Sequence, residues 1–185
     1  MSAKLTIQQL SVDNRDDFYR VHCAECEHDW CFCAGWWTKN WDHFEERSAE
    51  ENRKLRDQLI ADGVSDGYLL YENGEPVGWV QAASRDIFEK LCKQFRLRAQ
   101  RGAAAITCWF LIPRVRRKGY AKRFLELVLD DLKERGYTVV DAFPVKFEEK
   151  IEAGDLWTGP LSLYFHAGFI IERNHEKFPV YRKFL

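Results

Sequence analysis

Residues 103–136 carry the pattern that most restricts how this chain can fold. Residues 103–112 form an apolar run that includes Ile106, Trp109, Phe110, Leu111 and Ile112 and is closed by Pro113. A short apolar run ended by a breaker predicts a buried strand. Arg116, Arg117, Lys118, Gly119, Tyr120 and Ala121 follow. Beyond them Ala121, Phe124, Leu125, Val128 and Leu132 recur at helical spacing, and Gly136 stands where a helix ends in a left-handed residue. A strand therefore feeds a basic, glycine-bearing turn, and the turn opens a helix. The first N–H groups of a helix have no partner inside it and lie at the positive end of its dipole, so such a turn is a ready phosphate cradle. Gly119 lets a ligand approach the backbone, and Ala121 keeps the wall low. The turn is neither a P-loop, since no Gly-Lys-Ser/Thr follows, nor a dinucleotide fingerprint, since Gly-x-Gly-x-x-Gly is absent.

The bulk properties narrow the class. The chain has 185 residues, enough for one domain with a substantial core. Its formal net charge is −1, which gives no global pull toward nucleic acid or an anionic membrane. Hydrophobic residues make up 46% and charged ones 31%, which excludes a disordered chain. No apolar run is long enough to span a membrane and the first residues lack a signal-peptide core, so a cytoplasmic protein is expected.

Along the chain, residues 4–10 alternate and read as an edge strand. Residues 13–21 read as a short helix capped by Asp13. A Cys/Trp-rich segment extends to Trp41. Residues 48–60 read as a polar helix whose Ser48-Ala49-Glu50-Glu51 start fits a capping box. Residues 67–72 and 75–82 read as strands joined at Asn73-Gly74, a strong hairpin signal. Residues 85–101 are basic and in part helical, with Phe88, Leu91, Cys92 and Phe95 on one face. After the central strand and helix, residues 137–143 read as a strand parallel to residues 103–112. Residues 146–155 read as an exposed loop. Residues 158–167 read as a short helix with Pro160 near its start, and residues 168–173 and 178–185 complete the sheet.

The order Arg116-x-x-Gly119-x-Ala121, with Pro113 three residues ahead, resembles the pyrophosphate loop of the GCN5-related N-acetyltransferases (GNAT). Leu163-Tyr164-Phe165-His166-Ala167-Gly168-Phe169 resembles that family's late Leu-Tyr-x-x-x-Gly-Phe element. The resemblance covers residues 67–185. A bacterial subset with an N-terminal Trp-Cys-x-Cys segment extends it to nearly the whole chain, through Trp30 to Trp36, Glu51-Asn52-Arg53 and Glu75 to Trp79. It implies one domain over residues 1–185, with an acceptor-side part (1–66) and an acyl-CoA-binding core (67–185). It also implies an α/β (α+β) fold: a mixed, mostly antiparallel sheet flanked by helices, in which a parallel pair, residues 104–112 and 138–143, splays apart.

The activity the resemblance implies is acyl-CoA-dependent N-acyl transfer, with acetyl-CoA as co-substrate and a small-molecule or peptidyl primary amine attacking directly in a ternary complex. The backbone of Trp109, Phe110 and Leu111 is expected to hold the pantetheine amides, with an N–H at Phe110 or Leu111 toward the thioester oxygen. The amides and charges of Arg116, Arg117, Lys118, Gly119, Tyr120 and Ala121 are expected on the pyrophosphate. Tyr164 matches the family tyrosine that protonates the departing thiolate; a phenol suits that task at neutral pH. Where the family often keeps an asparagine, seven residues before that tyrosine, this chain has Trp157. No general base is identified: Asp29, Asp42 and Asp141 all read more readily as structural or solvated.

The Cys/Trp segment allows more than one reading. Cys23, Cys26, Cys31 and Cys33, with His22 and His28 interleaved, offer a nitrogen and sulfur set of the kind zinc takes. Their spacing is unlike standard zinc folds, and buried reduced thiols are favoured over zinc. Trp30, Trp36 and Trp37, with Asp29 nearby, combine aromatic faces and a carboxylate, and are expected to line an amine-acceptor pocket or else to fill core. A second functional reading is a non-catalytic acyl-CoA- or zinc-binding sensor on the same scaffold. No nucleic-acid or membrane partner is expected, and a homodimer is left open.

Overall fold

The computed structural model describes residues 4–24, 30–144, 157–174 and 179–185. The local signals mature into elements close to their expected places. The Asn73-Gly74 turn, with both residues at positive φ, joins β2 (Gly67–Glu72) to β3 (Glu75–Ser84). β1 (Leu5–Gln9) pairs antiparallel with β2 at one edge of the sheet. Ser48 and Glu51 form the reciprocal capping box of α2 (Ala49–Ala61). The cap expected of Asp13 falls instead to Ser11, which closes a 3₁₀ turn (Val12–Asn14) leading into α1 (Arg15–His22). Residues 85–101 hold a 3₁₀ turn (Arg85–Ile87) and α3 (Glu89–Gln94).

β4 (Ala103–Leu111) is antiparallel to β3, and α4 (Tyr120–Glu134) carries the chain over to β5 (Val139–Ala142), parallel to β4. Gly136 takes its left-handed conformation just beyond the α4 C-cap, Arg135. α5 (Leu161–His166) starts after Pro160, one residue later than a proline inside its first turn would require. β6 (Ile170–Arg173) and β7 (Val180–Phe184) follow, and β7 enters between β5 and β6. Among the described residues the result is a seven-stranded sheet in the order β1-β2-β3-β4-β5-β7-β6, parallel only between β4 and β5. The expected loop at residues 146–155 and residue 178 of the last strand lie outside the described residues.

Both faces of the central strands are covered, which is why β2 to β4 read as continuous apolar runs rather than alternating ones. On one face Phe124, Leu125, Val128 and Leu132 of α4 pack on Tyr68, Val80, Ile106 and Val140. On the other, Phe18 and Val21 of α1 and Ile60 of α2 pack with Phe32 and Cys33 on Leu69, Trp79 and Phe110. No described helix is long and apolar enough to cross a membrane.

Two irregularities shape the middle of the sheet. The β3–β4 register shifts so that Gln81 faces Cys108 while Ala82 faces Ile106. The extra residue, Thr107, donates its hydroxyl to Gln81 Oε1 at 2.8 Å. Such a bulge bends a strand. β4 and β5 then pair only from Ala103/Val139 to Ile106/Ala142. β5 stops there, while β4 runs five residues further to Leu111. The expected splayed parallel pair is present.

Candidate functional site

The site is built where β4 outruns β5. Successive residues of a strand turn their amides to opposite edges. Ile112 N–H bonds Val77 O, on the β3 side, so Phe110 also faces β3, while Trp109 and Leu111 face the gap. Of the two amides expected near the thioester, that of Leu111 is the one turned toward the gap. The Trp109 amide, also expected to serve a ligand, is taken: it donates to Trp157 O at 2.6 Å. Trp157, the residue standing in the family's asparagine position, thus uses its carbonyl on β4.

After Leu111 the chain makes a 3₁₀ turn (Pro113–Val115) and enters the basic loop. Arg116 Nε donates to Leu111 O at 2.6 Å, and its guanidinium carbon lies 5.4 Å from the centre of the Phe110 ring. Arg117 and Gly119 both have positive φ, 58° and 82°. Gly119 is the N-cap of α4, and no heavy atom lies within 4 Å of where its Cβ would stand. The space above the helix N-terminus is open, as a cradle for a large anion requires. Tyr120 is drawn aside: its hydroxyl bonds Glu72, as does Arg114. Tyr120 first, then Arg114, hold the Glu72 carboxyl below its ordinary value. Glu72, at the end of β2, is an anchor of the loop that the sequence reading missed; only its place ahead of the hairpin turn hinted at it.

Tyr164 of α5 reaches the same region and is wholly buried. Its hydroxyl accepts from Trp109 Nε1 at 2.6 Å and donates to Thr158 O at 2.7 Å. Burial pushes the phenol far above its usual value, while the Trp109 bond pulls it down. The group therefore stays protonated throughout the neutral range.

The Cys/Trp segment is organised from below by a buried ion pair. Arg56 and Asp66 are both fully buried and bonded at 2.7 and 2.8 Å. Arg56 also donates to the carbonyls of Phe32 and Cys33, and Asp66 accepts from Trp37 Nε1 and Gln81 Nε2, each at 2.7 Å. Trp37 is therefore a strut, with its ring on Phe88. Trp36 is buried, its ring near those of Trp41 (5.0 Å) and Trp157 (6.4 Å), and among the described residues its Nε1 has no hydrogen-bond partner. Trp30 leans on Phe44. Asp29 and Cys26 lie outside the described residues.

The cation found on this aromatic group is the protein's own. Lys90 Nζ sits 3.6 Å from the centre of the Trp41 ring, bonded to Thr38 Oγ1 and Asn40 O. Desolvation lowers its pKa to about 8. An NMR titration of the Lys90 ε-methylene is expected to have its midpoint near that value; a midpoint at the ordinary lysine position, about 10.4, contradicts the desolvated placement.

Zinc, the reading the cysteine spacing disfavours, gains no support, although Cys26 and His28 lie outside the described residues. Among the described residues, no group of three His, Cys, Asp or Glu side chains is arranged to hold a metal. Cys23 is exposed, and Cys31, half-buried, has its thiol pushed up to about 11, first by burial. The Cys33 sulfur meets Cys108 of β4. Asp141, weighed as a base, is buried between Arg85 and Arg182.

A model of the acetyltransferase (GNAT) family matches residues 26–149. No curated protein matches the chain. Among solved structures, PaiA N-acetyltransferase from Thermoplasma acidophilum, in complex with coenzyme A, is 15% identical with a TM-score of 0.58 over 98% of this chain and 99% of that one. The aminoglycoside acetyltransferase AAC(6′)-Ib, also with coenzyme A, is 12% identical with a TM-score of 0.62 over 98% and 95%. The ribosomal-protein-S18-alanine N-acetyltransferase from Escherichia coli is 12% identical with a TM-score of 0.53 over 97% and 91%. At these identities the likeness is one of fold.

Proposed function

The chain belongs to the acetyltransferase (GNAT) family, and from that premise we propose that it transfers an acetyl group from acetyl-CoA to a small or peptidyl primary amine, by direct attack in a ternary complex. The observation that carries this reading is the parting of β4 from β5 directly ahead of the Gly119 turn. The gap leaves the Leu111 edge of β4 turned toward a long ligand, and the open turn receives a pyrophosphate at its far end.

Acetyl-CoA supplies an activated acyl group and a good leaving thiolate. The residues supply position and charge. Gly119 and the first amides of α4 hold pyrophosphate oxygens, with Arg116, Arg117 and Lys118 adding positive charge and Ala121 leaving room. The Leu111 N–H faces the acyl oxygen, where negative charge grows as the amine attacks. Tyr164, steadied by the Trp109 indole, turns its hydroxyl from Thr158 O to the departing sulfur. Trp36 and Trp30 border the acceptor side. The amine must arrive neutral, and ordered water removes its proton.

Two measurements test this. Acetyl-CoA is expected to raise the melting temperature by linkage, since it binds only the folded chain. A panel of amines, scored by thiol release, is expected to contain an acceptor. Gly119→Glu puts a side chain into the open space at a positive φ and a negative charge against the phosphates. Affinity for acetyl-CoA is expected to fall at least about tenfold, or 1.4 kcal/mol. A variant that binds acetyl-CoA as tightly as the parent removes the loop from the site.

A further inference from the structure

Cys33 and Cys108 are 75 residues apart in the chain, yet their sulfurs lie 3.0 Å from each other. The meeting is built from both sides. The Arg56 guanidinium holds the Cys33 carbonyl at 2.7 Å. The bulge at Thr107 sets the neighbouring Cys108 opposite Gln81. Around Cys33 stand two further groups. Trp79 Nε1 donates to its sulfur at 3.2 Å. His22 Nε2 lies 3.6 Å away, while His22 Nδ1 is 2.9 Å from Phe18 O. A carbonyl only accepts, so Nδ1 carries a proton, and in the neutral ring Nε2 then faces Cys33 as a bare lone pair. A thiol with a base on one side, an N–H donor on another and a second thiol in contact is more than hydrophobic filling requires. The acyl-transfer reading makes no use of it.

We propose that Cys33 and Cys108 form a hydroperoxide-reactive dithiol that closes to a disulfide. Cys108 is half-buried and Cys33 buried, so Cys108 meets the oxidant first. Its sulfur attacks the terminal oxygen of the hydroperoxide. The O–O bond breaks, the thiol proton leaves with the alcohol, and Cys108 becomes a sulfenic acid. Cys33 then attacks the Cys108 sulfur. The Cys33 proton passes to His22 Nε2 and on to the departing hydroxide, which leaves as water. Two thiols and one hydroperoxide thus give one disulfide, one alcohol and one water, with two electrons transferred. Burial holds the Cys33 thiol well above its usual value, with His22 pulling it down, so this sulfur is inert until its partner is oxidised. The sulfurs need to close by only about 1 Å to reach bonding distance. The bond fastens the Cys/Trp segment to β4 one residue before Trp109.

The test uses the reduced full chain and one equivalent of hydrogen peroxide. The intact mass is expected to fall by two hydrogen atoms. Digestion without reductant is expected to give one cross-linked peptide pair joining Cys33 to Cys108, and dithiothreitol is expected to undo it. In Cys33→Ser the sulfenic acid on Cys108 is expected to persist and be trapped by dimedone; His22→Gln is expected to lengthen its lifetime with both thiols still present. Oxygen added to Cys108 of the parent without cross-linking overturns the proposal. So does cross-linking that joins other cysteines, or a folded parent that does not react. The parent alone decides the matter should either variant fail to fold.

Discussion

Asp66→Ala is expected to cost about 3–5 kcal/mol of folding stability, because it strands the Arg56 guanidinium as an unpaired buried charge. The pair is fully buried, and four further hydrogen bonds converge on it. Removing the carboxylate also leaves Trp37 Nε1 and Gln81 Nε2 without their acceptor. For a chain of this length the melting temperature is expected to fall by roughly 2–4 °C per kcal/mol. The double variant Arg56→Met with Asp66→Leu is expected to lose less than the two single changes added together, since no charge is then left buried. Urea unfolding of the four proteins checks both statements. An Asp66→Ala protein within about 1 kcal/mol of the parent contradicts the account, that being the scale of an exposed pair.

Tyr164→Phe is expected to lower kcat by about 10²–10⁴-fold while the affinity for acetyl-CoA holds, since the proton is needed in the transition state rather than in the ground state. The aromatic packing on Phe169 survives the change. The hydrogen bonds do not: Trp109 Nε1 and Thr158 O lose their common partner. A stability loss of about 1–3 kcal/mol should accompany the kinetic one, so rates must be compared well below both melting temperatures. Trp109→Phe keeps the phenol but removes the donor that steadies it, and should lie between the two proteins in kcat. Parental turnover by Tyr164→Phe, with an accepted amine, assigns proton delivery to another group or to water and leaves only the cofactor half of the proposal standing.

Sequence alone predicts that phenylalanine in place of Tyr164 is nearly free of structural cost. The structure argues for a cost instead, because the buried hydroxyl is bonded to Thr158 and Trp109, which no pattern around Tyr164 reveals. The same division runs through the molecule. The Asn73-Gly74 turn, the Ser48–Glu51 box and the Gly136 stop were legible because each is decided within a few residues. The parallel β4–β5 pair was legible because an apolar strand, a helix and a second strand admit few connections. Lys90 on Trp41, Asp66 under Trp37 and Cys108 against Cys33 were not, since each joins segments 29 to 75 residues apart. The Cys/Trp segment was only partly legible for a related reason. Close spacing in sequence raises only contacts among its own cysteines, whereas the sulfur that Cys33 meets, that of Cys108, comes from the middle of the sheet.

The position of β7 has a consequence for how the chain is made. It is inserted between β5 and β6, yet it leaves the ribosome after both. Until Val180–Phe184 have emerged, β5 lacks its antiparallel neighbour and β6 has no strand to pair with. Arg182 donates to buried Asp141 alongside Arg85, so that carboxylate also waits for part of its hydrogen bonding. Ile170 and Ile171, which stay half exposed even in the finished sheet, are meanwhile held by nothing. Nascent chains stalled before β7 should therefore be the ones that chaperones retain and that self-associate when released.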